Sequence, residues 1–412
     1  MEKIRWLFEI QKRIVGELGF DVLSITQKGI RKRDVDSNDG QLSMDYSKYQ
    51  LVEAGDFAMN HMDLLTGYVD ISPSRGVTSP DYRVFSIRDA SVASDRFFLR
   101  LFQNAYTNKI FYAYGQGSSQ LGRWRFPADQ FNDFRLPFPS IGDQVVIANF
   151  LDRETCKIDA LVEEQEKLVA LLKEKRQALI SHAVTKGLYP NVAMKDSGIE
   201  WLGDVPLHWE IRRIKNVSDF VTSGPRGWSE RITDEGALFI QSGDLNDRLQ
   251  IDFARAKRVS IVDDAEAVRT QLRNGDIVLC ITGAKTGNVG ICSSLEEPAF
   301  INQHVCLIRP NKAVSSGFLG SYLKSGAGQT NLELVQYGLK QGLSLENVRE
   351  AIVPIPPISE QVSITEHISR STSELDVLML EAEHAIDLLN ERRAALISAA
   401  VTGKIDVRNY RS

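Results

Sequence analysis

Two stretches of the chain repeat apolar residues at alternating steps of three and four over about 40 residues free of glycine and proline, the pattern of a long helix with a narrow apolar seam. In the first, Leu151, Ile158, Leu172 and Leu179 share one heptad position, with Gln165 interrupting, and Val162, Val169 and Ala183 fill the other. In the second, Ile368, Leu375, Ala382, Leu389 and Leu396 share one position, and Met379, Ile386 and Ala400 the other. A stripe this narrow predicts a coiled coil; a helix packed only on its own neighbouring domain calls for a wider one. The remaining segments, 1–135 and 201–352, alternate short strand-like runs with turns. Leu51–Val52, Arg83–Ile87, Ala237–Gln241, Ile277–Thr282 and Val305–Ile308 read as strands, and Asp95–Gln103 and Gly317–Lys324 as short helices.

The two long stretches are copies. Leu136–Thr185 aligns with Val353–Thr402 without a gap at an offset of about 217 residues, with nearly half the pairs identical. Gln144 matches Gln361, Asp159 matches Asp376, Arg176 matches Arg393, and Ala178–Ser181 matches Ala395–Ser398. Fainter echoes join the mixed segments: Gly55-Asp56-Phe57 with Gly275-Asp276-Ile277, and Phe97-Phe98-Leu99 with Phe318-Leu319. The chain therefore divides into a mixed segment (1–135), a long helix (136–186), a polar connector (187–200), a second mixed segment (201–352), and a second long helix with its tail (353–412). The connector of about 14 residues reaches only about 50 Å. It is too short to run back along a helix of roughly 65 Å, as parallel pairing requires. The helices are expected to pair antiparallel, with the mixed domains related by a pseudo-twofold axis. Leu151, Ile158, Val162, Val169, Leu172 and Leu179 are the expected core of one helix. Leu375, Met379, Ile386, Leu389 and Leu396 are that of the other.

Composition narrows the chemistry. With 412 residues, 43% hydrophobic and 25% charged, the chain reads as globular and cytoplasmic. No run approaches the roughly 18 apolar residues of a membrane span, and the first residues lack a signal-peptide core. The cysteines Cys156, Cys280, Cys292 and Cys306 show no CxxC spacing, the six histidines no metal spacing, and no G-x-S-x-G elbow occurs. The loop Gly283–Asn288 lacks the order of a P-loop. No catalytic residue, metal ligand or bound cofactor is expected. The net charge of −5 argues weakly against nucleic acid, yet basic residues cluster locally. Lys28, Arg31 and Arg33 form one such patch. Gln116, Ser119, Arg123 and Arg125 sit on a flexible polar loop with a basic end, and Arg226 on a turn. Lys285, Thr286 and Asn288 lie on a glycine-bounded loop, and Lys340 and Gln341 on another. Gln and Asn side chains can pair with adenine and Arg with guanine, so these residues are the candidate DNA contacts.

The stretch Asp196–Val217, DSGIEWLGDVPLHWEIRRIKNV, resembles the phrase that opens a target-recognition domain in the specificity subunits of type I restriction–modification systems. Val353–Asp406 and Leu136–Thr185 resemble that family's conserved helical regions. Leu23-Ser24-Ile25 and Gly76–Tyr82 fit the opening of a first recognition domain, although no WLG…P..HW phrase precedes Lys3-Ile4-Arg5-Trp6. The resemblance implies an α+β/α architecture: two α/β target-recognition domains joined by an antiparallel two-helix coiled coil. It also implies a role in phage defence, reading a split, asymmetric target in double-stranded DNA. Two methylation subunits and two restriction (motor–nuclease) subunits would be the protein partners, with no membrane involved. S-adenosylmethionine would sit on the methylation partner, and ATP and Mg on the restriction partner. Half-sites on opposite strands, roughly one helical turn apart, follow as an expectation. A coiled-coil scaffold that binds proteins without reading DNA is the alternative.

Overall fold

The computed structural model describes residues 1–34, 46–118, 123–261, 264–336, 342–408 and 410. The chain forms two units, Met1–Glu166 together with Glu383–Ser412, and Lys167–Ala382. Each holds one mixed α/β domain and a half of each long helix.

The first unit is built on an antiparallel sheet of β1 (Phe8–Gln11), β2 (Phe57–Met59), β3 (Val69–Ile71) and β4 (Arg83–Ile87), in the order β1-β4-β2-β3. One face carries Phe8, Phe57 and Phe85, which pack on Phe98 and Phe102 of helix α1 (Asp95–Thr107). The rings meet mostly edge to face, Phe8 and Phe98 with centroids 5.2 Å apart, a geometry the aromatic quadrupole favours. The other face, with Ala58 and Val84, packs against Leu23, Ile25 and Ile30 of the hairpin Leu23–Thr26/Gly29–Lys32. Strands apolar on both faces carry no alternation, which is why they read only as short apolar runs.

The second unit repeats the plan. Strands β5 (Ser218–Ser223), β6 (Ile277–Cys280), β7 (Val289–Ile291) and β8 (Val305–Pro310) follow the order β5-β8-β6-β7. One face packs on helix α3 (Ser316–Lys324). The other covers an additional four-stranded sheet in which Ala237–Ile240 pairs parallel with Ala299–Ile301. The echoed Gly-Asp pairs have the same function in both. Gly55 and Gly275 take φ of +91° and +92°, a turn conformation that favours glycine. Asp56 and Asp276, both buried, pair with Arg13 at 2.7 Å and with Arg309 at 2.7 Å.

Helix α2 (Ile141–Lys186) and helix α4 (Ile358–Val401) are docked by the same side chain in each copy. Gln144 is fully buried; its Oε1 accepts from the Ser94 N–H at 2.8 Å and its Nε2 donates to the Val92 and Pro139 carbonyls. Gln361 accepts from the Ser315 N–H at 2.8 Å and donates to the Ala313 and Pro356 carbonyls. Ser94 and Ser315 are the N-caps of α1 and α3, so each glutamine ties a long helix to the start of a short one.

Within each unit the start of one long helix lies beside the end of the other, which is antiparallel pairing. In the first unit, Ala148, Phe150 and Leu151 of α2 share a core with Ile397, Ala400 and Val401 of α4. In the second, Ile180, Ala183 and Val184 of α2 share a core with Ile364 and Ile368 of α4. The seam is buried at Leu151, Ile158, Val169, Leu172 and Leu375. Val162, Leu179, Met379, Ile386, Leu389 and Leu396 are only half-buried, because a pair of helices covers a seam residue from one side alone. The pattern also includes residues the heptad reading passed over. Thr155 and Thr372, matched copies, are 2% and 7% exposed, each hydroxyl facing the carbonyl three residues back. Ile180, Val184, Ile397 and Val401 widen the stripe at the helix ends, where the contact is with a globular domain.

The connector is folded into the second unit: Met194–Asp196 pairs with Asp204–Pro206, and Leu188 and Ile199 pack on the core. Glu2–Lys3 pairs with Arg135–Leu136, matching Glu210–Arg213 against Ile352–Ile355. The four cysteines are free, and the described residues contain no cluster of His, Cys, Asp or Glu able to hold a metal. No described helix is long and apolar enough to cross a membrane.

Candidate nucleic-acid interface

In the first unit the described part of the candidate loop is a pair of short strands. Gln116–Ser118 pairs with Arg123–Arg125, which places Gln116 directly opposite Arg125, both exposed. Trp124 anchors the pair, its Nε1 donating to the Tyr112 carbonyl at 2.8 Å. Gln116 and Arg125, with Lys12 and Asp81, line a cavity of about 720 Å³. Ser119 lies outside the described residues, and Arg123 is placed by its strand.

Lys28, Arg31 and Arg33 sit elsewhere in this unit and do not line that cavity. Lys28 is exposed at the tip of the Leu23–Lys32 hairpin, held by Thr26, whose Oγ1 donates to the Gly29 carbonyl and accepts from the Lys28 N–H. Gly29, with φ of +95°, also needs its missing side chain, since a Cβ would stand 2.8 Å from the Asp70 carboxylate. Arg31 is exposed, Arg33 half-buried, and Lys32 pairs with Asp21 at 2.7 Å.

In the second unit the loop between β6 and β7 divides its candidates. Lys285 is exposed. Thr286 is half-buried and bonded within its own turn, its Oγ1 donating to the Gly283 carbonyl at 2.7 Å. Asn288 is engaged on both sides: Nδ2 donates to the Leu245 carbonyl at 3.1 Å, and Oδ1 accepts from Lys324 Nζ at 2.6 Å. Of the three candidates on this glycine-bounded loop, the lysine alone is exposed. The glycines close the turn so that the other two brace it. These residues line a second cavity, of about 610 Å³, with Arg255, Lys324 and the carboxylates of Asp244, Asp247 and Asp252. Burial holds the Asp244 carboxyl above its usual range, against the opposing pull of the Gln241 N–H it accepts from. Arg226 is exposed at a separate turn before Trp228, and Lys340 and Gln341 lie outside the described residues.

The linings bring in cations that the sequence reading did not single out as contacts. Lys12 comes from the end of the β1 segment and Lys324 from the last turn of α3. Neither lies in a loop of polar and glycine residues, so no local pattern marks them as contacts. The two cavities differ in charge. The first has three cations among its lining residues (Lys12, Arg83 and Arg125) against Asp81; the second sets Arg255, Lys285 and Lys324 against three carboxylates.

Residues 206–378 match the family model described as Type I restriction modification DNA specificity domain. The chain is 25% identical over 325 residues to the Type I restriction enzyme EcoBI specificity subunit of Escherichia coli, covering 76% of this chain and 67% of that protein. It is 22% identical over 292 residues to the EcoKI specificity subunit of Escherichia coli (strain K12), covering 67% of this chain and 58% of that protein. The matched stretches thus span between about three fifths and two thirds of these relatives. Among solved structures, it superposes with a TM-score of 0.73 at 14% identity on a chain from a study of complex assembly and conformational transition of the type I R-M system, covering 98% of this chain and 97% of that one. The HsdS subunit from Thermoanaerobacter tengcongensis gives a TM-score of 0.50 at 14% identity, covering 98% and 96%. At that identity the two structures bear on the fold alone.

Proposed function

We propose that this chain, a relative of the type I restriction specificity subunits, reads a split DNA target, one half with each unit, and carries the subunits that act on it. Sequence-specific DNA recognition is the part of this reading that the matched specificity domain carries directly. One observation supports the split target. The units share a scaffold down to the hydrogen bonds of Gln144 and Gln361, yet present their charged groups in different places: the first unit's cavity holds Lys12, Arg83 and Arg125, whereas the second's, at another part of its sheet, holds Arg255, Lys285, Lys324 and three aspartates. Equal scaffolds with unequal surfaces suit two modules reading different sequences, so the target is asymmetric.

The chain itself is a non-catalytic cytoplasmic subunit in this reading. Two methylation subunits supply methyl transfer with S-adenosylmethionine, and two restriction subunits supply ATP- and Mg-dependent cleavage. Mapping methylated adenines in a strain carrying the chain with its methylation partner tests it; the expected motif is bipartite, unequal in its halves and interrupted by unread bases. A continuous or palindromic motif would overturn it. The alternative, a scaffold without DNA specificity, draws on Leu171 and Leu388, matched copies on the long helices that are 63% and 51% exposed. Selection from randomised duplexes, with and without the methylation partner, separates the two, since a scaffold enriches no sequence.

A further inference from the structure

Arg83 opens β4 with 5% exposure. Its Nη2 donates to the Phe126 carbonyl at 2.9 Å, and its guanidinium lies 4.4 Å from the centre of the Phe131 ring. The other terminal nitrogen, Nη1, is buried without a hydrogen-bond partner. The neighbouring Arg75 and Arg88 pair with Glu53 and Glu9, whereas Arg83 has no carboxylate partner among the described residues. Burial pulls its pKa down to about 10, so it remains charged at neutral pH. His61 is in the same condition: its Nδ1 is buried with no partner. Burial, then the charges of Arg83 and Arg125, hold its pKa down at about 3, so the imidazole is neutral. Both residues line the 720 Å³ cavity of the first unit.

A buried cation without a counter-charge and a buried ring nitrogen without a partner are both destabilising. The second unit shows that the fold does not require them. Strand register sets Arg83 opposite Met59 and Cys306 opposite Leu279, so Cys306 occupies the place of Arg83. The carbonyl of His61 accepts from the Phe126 N–H at 2.9 Å, and that of Ile281 from the Leu343 N–H at 2.8 Å, so Ile281 occupies the place of His61. Cys306, Ile281 and Leu343 are all buried and apolar in character. The same sheet closes on hydrocarbon and a thiol in one unit, and in the other on two residues that line a cavity and each hold a buried, unsatisfied nitrogen.

We propose that the first unit's cavity is an oxyanion site that takes a phosphate group, with Arg83 Nη1 and a protonated His61 Nδ1 of the neutral ring as donors at its floor and Lys12 and Arg125 at its mouth. The cavity's volume admits a phosphodiester with its flanking sugars. The source is a backbone phosphate of the DNA half-site read by this unit, which rests on the function proposed above; free inorganic phosphate offers the same chemistry.

The test replaces the two residues by those the second unit carries, His61→Ile with Arg83→Cys, in the full chain. In chloride the double variant is expected to melt no lower than the parent. Inorganic phosphate at equal ionic strength is expected to raise the parent's melting temperature and leave the variant's unchanged. With the methylation partner and a duplex bearing the target, the slope of log affinity against log salt is expected to fall by about one in the variant, with target preference retained. Loss of the phosphate response with an unchanged slope identifies free phosphate as the ligand. A phosphate response with no DNA binding by the parent sustains the site and rejects the DNA reading. A phosphate response preserved in the variant, or none in the parent together with an unchanged slope, overturns the site. If the double variant does not fold, Lys12→Gln with Arg125→Gln, both on exposed residues, supplies the same two readings.

Discussion

Arg176 donates from Nε to the Asp376 carboxylate at 3.1 Å across the two long helices, with both side chains 18% exposed. The matched residues repeat the contact with the copies exchanged, Arg393 to Asp159 at 3.0 Å, but at 34% and 58% exposure. Asp376 is also approached by Arg248 at 3.5 Å. Solvent screens the more exposed pair, so the two bridges differ in strength. Arg176→Ala is expected to lower stability by about 1–2 kcal/mol and Arg393→Ala by less than about 0.5. Urea unfolding of both variants checks this; equal losses would show that exposure does not grade the two pairs.

The glutamines that dock the helices give a sharper case. Gln361 donates to two carbonyls and accepts one N–H, all inside the fold. Gln361→Ala leaves those backbone groups without partners and is expected to cost about 2–4 kcal/mol. Gln361→Glu places a carboxylate against two carbonyls and is expected to cost more at pH 7 than the truncation does. Thermal melts of the two variants rank them, and a milder effect of glutamate would refute the assigned direction of these bonds.

Along the seam, burial orders the leucines. Leu151 is fully buried, Leu172 is 8% exposed and Leu389 only half-buried. Replacement by alanine is expected to cost most at Leu151, toward the upper part of the usual range of about 2–5 kcal/mol, less at Leu172 and least at Leu389. Denaturant midpoints of the three variants test the order.

His61 links stability to pH. Its folded pKa of about 3 lies below its ordinary value of 6.5, so between those values the unfolded chain binds the extra proton. Stability from this group is complete above the ordinary value and is lost as pH falls toward 3. His61→Ile is therefore expected to flatten the acid side of the stability profile, with the largest gain over the parent near pH 4. Melting curves from pH 7 to pH 4 measure it; parallel profiles would contradict the assignment.

For DNA, exposed and engaged side chains should behave differently. Gln116→Ala, at an exposed position opposite Arg125, is expected to weaken binding by about 1–3 kcal/mol and relax only the half-site of the first unit. Asn288→Ala removes bonds to Leu245 and Lys324, and is expected to lower the melting temperature along with any change in the other half-site. Motif mapping paired with melting curves distinguishes the two.

The long helices and their direction were legible because the seam repeats, the copies align, and the connector is too short for any other arrangement. Thr155 and Thr372 escaped because a hydroxyl that faces its own backbone is buried like a methyl yet reads as polar. The sheets were legible as strands but not in their order, because strands of three to six residues covered on both faces carry no register signal. The candidate contacts were the least legible. Asn288 read as a candidate contact because its partner, the Leu245 carbonyl, lies 43 positions away. Arg83 read as one residue of a strand, since nothing local reveals that a cation at a core position lacks its counter-charge.

The first unit is completed by Glu383–Ser412, while the second is the uninterrupted stretch Lys167–Ala382. Synthesis therefore makes the first domain early and finishes it last. Its core lacks Ile397, Ala400 and Val401 until the ribosome has passed through the whole of the second unit. At about 5–20 residues per second that delay is roughly 10–40 s. During it the apolar face of Phe150 and Leu151 waits uncovered by the partner helix, so the unit made earlier is the one left open to chaperones and proteases for longer, and a message stalled before Glu383 yields a first unit without part of its core.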